Sequence, residues 1–60
     1  MNKTVGQLKK IFVEVAKRNN DVYGMIRELR SMESDGVISS DDYDFLNEHW
    51  DEILEEYGLE

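Results

Sequence analysis

The 60-residue chain has no cysteine, no proline, no apolar run longer than Ile11-Phe12-Val13, and no lysine or arginine beyond residue 30. Each gap excludes something. Without cysteine there is neither a disulfide framework nor a thiolate zinc site, the usual reinforcements of a very small secreted domain, so a cytoplasmic setting is expected. A three-residue apolar run falls far short of the roughly 20 residues that cross a bilayer. No apolar signal segment follows Met1-Asn2-Lys3, which reads as a soluble chain, complete as written. At this length only about 60% of the unfolded surface is buried on folding, so one domain, residues 1–60, with one small core is expected. A second copy or a bound partner is an expected source of further stability.

The missing cations of the second half divide the charge. Residues 1–30 carry seven basic side chains (Lys3, Lys9, Lys10, Lys17, Arg18, Arg27, Arg30) against Glu14, Asp21 and Glu28, a net of +4. Residues 31–60 carry eleven carboxylates and no Lys or Arg, a net of −11, and the formal charge of −7 is the sum of the two. Such asymmetry bears on partners and steering more than on fold.

A 3.6-residue apolar period broken by short Gly/Ser/Asn punctuation predicts an all-α domain of three helices, at about 5–18, 21–34 and 40–57. Thr4 followed by Gln7 forms a capping box for the first, whose apolar stripe is Val5, Leu8, Ile11, Phe12, Val15 and Ala16. Asn19-Asn20 is expected to end it, through the left-handed conformation that Asn tolerates, and to cap the second. Val22, Met25, Ile26, Leu29 and Met32 line the second, with Gly24 inside it at a cost of about 1 kcal/mol relative to Ala. Gly36 is the expected left-handed terminator. Ser39 with Asp42 then caps the third helix, and Ile38 with Tyr43 has the spacing of a hydrophobic staple. The third stripe is Tyr43, Leu46, Trp50, Ile53, Leu54 and Tyr57, and Gly58 stops the helix.

The stretch Ile26-x-x-Leu29-x-x-Met32-x-x-x-Gly36-x-Ile38-Ser39-x-x-Asp42-Tyr43 resembles the short C-terminal domain (SHOCT) family, whose pattern is leucines three apart, Gly-x-Ile-Thr and an acidic-aromatic pair. The resemblance covers residues 26–43 and ends there: Asn47, Trp50 and Asp51 stand where the family continues with a lysine and a Leu-Leu pair. It implies a helical hairpin of the kind appended to larger proteins, and no chemistry. The same turn is similar to the back half of an EF-hand loop, with Asp35, Gly36, Ile38 and Asp42 in register. Ser31 and Glu33 spoil the front half, so a capped turn without metal is expected.

His49 is the only histidine, with no nucleophile or Gly-rich phosphate loop to accompany it. Carboxylates alone would have to do acid-base work, in a domain with little interior to desolvate them. We therefore expect no enzyme, no metal and no cofactor, with His49 packing at the boundary of the core.

The candidate site is acidic. Asp44, Glu48, Asp51 and Glu55 form a ridge on the predicted third helix, flanked by Asp41 and Glu52. The i, i+4 pairs Asp44/Glu48, Glu48/Glu52, Asp51/Glu55 and Glu52/Glu56 each destabilise the helix by about 0.2–0.5 kcal/mol. Phe45 projects from the predicted stripe among them, as an interface anchor would, and Tyr23 and Val13 lie off-stripe elsewhere. The expected function is that of a regulator or inhibitor, by analogy with phage and mobile-element proteins, binding a basic, nucleic-acid-binding protein by mimicking nucleic acid. Lys3, Lys10 and Lys17 recur every seven residues on the first helix. The net charge opposes direct nucleic-acid binding, and these lysines have no aromatic stacking platform. The alternative is a homodimeric bundle in which they meet the acidic helix of a second copy or present a basic face to RNA.

Overall fold

The computed structural model describes residues 3–58, and every element among them is helical: α1 (Val5–Arg18), α2 (Val22–Ser34), α3 (Ser40–Glu48) and α4 (Trp50–Glu56). The all-α expectation holds, with the third predicted helix divided in two. Helix α1 opens on the predicted box: the Gln7 amide donates to Thr4 Oγ1 at 3.1 Å and the Thr4 amide to Gln7 Oε1 at 3.0 Å. Asn19 ends it in extended conformation (φ −123°, ψ 142°), not the left-handed one. Asp21, not Asn20, caps α2, accepting from the Gly24 amide at 2.7 Å, so the helix begins at Val22.

The second corner follows its prediction closely. Gly36 takes φ 80°, the Val37 amide donates to Met32 O at 2.9 Å and the Gly36 amide to Glu33 O at 3.1 Å, the paired bonds of a Schellman motif. Ser39 and Asp42 complete a reciprocal box over α3, at 3.0 and 3.1 Å. Asp42 is fully buried.

Leu8, Phe12, Val15, Met25, Leu29, Ile38, Leu46 and Ile53 form the core, one or more from every helix plus Ile38 from the second corner. Helices α1, α2 and α3 pack pairwise. The radius of gyration is 10.4 Å, where about 10 Å is typical for a folded chain of this size. Helix α4 closes over α1: Trp50 meets Phe12 edge-on, with ring centroids 4.8 Å apart, and Lys9 Nζ lies 2.8 Å from Glu56 Oε1.

Two expectations need correction. The chain turns at His49 (φ −104°, ψ 20°), which serves as C-cap of α3 and start of α4. No glycine or proline marks the place. Bonds from the His49 amide to Phe45 O and from the Ile53 amide to His49 O, both 3.0 Å, carry the backbone across. The turn seats Trp50 on Phe12, a tertiary contact that no local rule encodes. Second, α3 buries Asp42 beside Leu46, which rotates its inner face away from the purely apolar stripe. Phe45 is consequently half-buried against the core and does not project from it. Val5, Val22 and Tyr57 sit at the ends of predicted stripes, beyond the reach of the small core, and are 40%, 49% and 45% exposed.

Candidate functional site

The helices sort the charge onto two surfaces. On the outer side of α3, Asp41, Asp44 and Glu48 are exposed; on α4, Asp51, Glu52 and Glu55 are exposed. Helical spacing gathers Asp41, Asp44 and Glu48 onto one side of α3, and Asp51 with Glu55 onto one side of α4. The turn at His49 separates the two sets, so the ridge is two acidic segments and not a single straight line. Glu52 is held at its base: His49 Nδ1 lies 3.4 Å from Glu52 Oε2, and the His49 ring stacks obliquely on Phe45 with centroids 4.6 Å apart. The half-buried His49 and Phe45 thus join the end of α3 to the start of α4. Asp41, Asp44, Glu48, Asp51 and Glu55 make no ion pair or hydrogen bond to any side chain among the described residues.

Three of the cations are engaged by partners other than these five carboxylates. Lys9 pairs with Glu56, and its hydrogen bond to that carboxylate raises its pKa above the ordinary 10.5. Arg18 pairs with Glu28, donating from Nε at 3.0 Å as well as from its terminal nitrogen. The arginine, aided by Asn19, holds the Glu28 carboxyl below its ordinary 4.5. Arg30 donates to the Tyr43 hydroxyl at 3.3 Å, which raises its pKa in turn. Lys3, Lys10, Lys17 and Arg27 have no such partner among the described residues.

The second surface is a groove of about 390 Å³ along α1, lined by Lys3, Lys10, Glu14 and Arg18 around the half-buried Ile11 and Met32. The heptad of lysines places Lys3 and Lys10 here, but the third cation is Arg18 and not Lys17. Ile11 and Met32, expected in the core stripes, pack against the core and also line this groove. Their signal in the sequence is Lys10 directly before Ile11 and Lys3 a heptad before Lys10, an apolar residue fringed by cations.

Asp42, aligned with the last calcium ligand of an EF-hand, is committed to the Ser39 amide. Among the described residues no three His, Asp or Glu side chains are grouped to hold a metal ion, and no helix is long and apolar enough to cross a membrane. Comparison with models of protein families, with curated proteins and with solved structures found no match to this chain.

Proposed function

We propose that the protein is a non-enzymatic cytoplasmic regulator or inhibitor that lays the acidic side of α3 and α4 against a basic surface of a partner protein, and that the surface it occupies is one that binds nucleic acid. By analogy with other short acidic chains, it acts on behalf of a phage or mobile element. One observation carries the reading: five exposed carboxylates, Asp41, Asp44, Glu48, Asp51 and Glu55, stand on α3 and α4 with no ion pair to a cation among the described residues. Their mutual repulsion lowers the stability of α3 and α4, and a solvated face needs no such concentration of one sign. Asp44 and Glu48, like Asp51 and Glu55, are separated along the helix by about 6 Å, close to the axial distance between alternate phosphates of one strand, about 7 Å.

The test is affinity capture from the lysate of the native host, comparing the wild-type protein with Asp44→Lys/Glu48→Lys. The expected result is a basic protein held at low salt, released at high salt, displaced by duplex DNA, and not captured by the double variant. A partner retained equally by both proteins overturns the reading.

A further inference from the structure

We infer that the α1 groove is a docking site for the α3–α4 face of a second copy of this chain, so that the protein self-associates through the surface it presents to its partner. The inference rests in part on the reading of that face as a binding surface.

The two surfaces are complementary in arrangement as well as in sign. The groove has an apolar centre, Ile11 and Met32, fringed by Lys3, Lys10 and the Glu28-paired Arg18, with Glu14 as the one acid in its lining. The α3–α4 face has the half-buried Phe45 with Asp41, Glu48 and Glu52 around it, and Asp44 beside them. Lys3 and Lys10 are unpaired among the described residues, as are Asp41, Asp44 and Glu48. Within one copy these groups do not meet; of α1's lysines only Lys9 reaches an acid of α4. Between two copies related by a two-fold axis, each groove receives the other's acidic face, and both contacts close without leaving a free end. The net charge of −7 per copy repels at long range, but at physiological salt the screening length is about 8 Å. Screening at that length leaves contact-range pairing in place while weakening whole-molecule repulsion.

Docking in this way covers the face that binds the partner, so self-association and partner binding exclude one another. The acidic face is sequestered when the protein is abundant and released when a basic partner competes for it.

The experiment is sedimentation equilibrium from micromolar to millimolar concentration, on the wild type and two variants confirmed as helical by circular dichroism. One variant reverses the groove, Lys3→Glu/Lys10→Glu; the other reverses the face, Asp44→Lys/Glu48→Lys. The wild type is expected to rise toward twice its 7.1 kDa mass, and each variant alone to associate at least about tenfold more weakly. An equimolar mixture of the two variants is expected to recover association, because in the mixed pair both contacts again join opposite charges. A wild type that stays monomeric overturns the inference, as does a mixture no stronger than its components. Neither result touches the partner reading, because the groove variant retains the acidic face and is expected to capture the basic partner as the wild type does.

Discussion

The two corners between the packed helices are built by different means. Between α1 and α2, side chains reach across: Asn19 Nδ2 donates to Val15 O and to Glu28 Oε1, each at 2.8 Å, and Arg18 grips the same Glu28. Asp21 supplies the local cap of α2. Between α2 and α3, the turn itself is made by backbone and by neighbours three to six residues away, through Gly36, the Met32 carbonyl and the Ser39/Asp42 box, with the Ser40 hydroxyl to Glu33 Oε2 at 2.7 Å and Arg30 to the Tyr43 hydroxyl tying the two helices outside it. The first corner depends on helices already being in place. The bonds that make the second turn join residues no more than six apart.

That difference orders the consequences of breaking each corner. Asp42→Ala has the largest expected effect, because it removes a fully buried acceptor and leaves the Ser39 amide unpaired, costing about 2–3 kcal/mol. Ser39→Ala removes only the reciprocal half and costs about 1 kcal/mol. Urea unfolding of the two variants measures both; an Asp42 variant no weaker than the Ser39 one means that burial of the carboxylate contributes nothing. Gly36→Ala follows. At φ 80° with open space around the new methyl, its cost is backbone strain alone, about 1–2 kcal/mol.

The corners also explain what could be read from the sequence. Gly36, Ser39 and Asp42 act on atoms within six residues of themselves, so the spacing rules that describe them are complete, and the second corner was legible almost bond by bond. Of the residues that carry the SHOCT resemblance, Gly36, Ser39 and Asp42 are these same caps, and Leu29 and Ile38 are buried. Asn19 was legible only as a terminator, because its partner Glu28 is nine residues away and on another helix. The same holds for the turn at His49, fixed by Trp50 on Phe12 across 38 positions of sequence. Of the candidate surfaces, the acidic residues could be named in advance because exposure is the default for carboxylates. Their division at His49, the half-burial of Phe45 and the α1 groove could not, since each depends on which face of a helix finds the core.

Gly24 offers a test of the first corner with an effect of about 1 kcal/mol. Helix propensity alone says that Gly24→Ala stabilises α2 by about that amount. The structure reverses the sign: a methyl there would lie 2.7 Å from Asn19 Oδ1 and 3.3 Å from its Cβ. Asn19 must then shift away from Val15 and Glu28. Gly24→Ala is therefore expected to destabilise the wild type, and to cost less in Asn19→Ala, where the 2.7 Å contact is gone and only the contacts with the residue-19 Cβ at 3.3 Å and Asp21 Oδ1 at 3.2 Å remain. Unfolding free energies of the four proteins in this cycle yield the coupling directly; simple additivity would mean that Asn19 does not constrain the position.

The smallest effect separates the corners by pH. Because Arg18 and Asn19 hold the folded Glu28 carboxyl below 4.5, the unfolded chain takes up this proton first as the solution is acidified. The stability that Glu28 contributes is thus fully present above pH 4.5 and is lost as the pH falls through the depressed folded value. Glu28→Gln removes the charge permanently, so wild type and variant are expected to differ by a constant amount from pH 7 to about 5 and to converge below it. The pair is partly exposed, so added salt is expected to shrink the difference. Urea midpoints at matched pH and salt measure it. A difference that persists undiminished at pH 3 would show that Glu28 acts through packing and its hydrogen bond to Asn19, and that the first corner, like the second, is held without help from ion pairing.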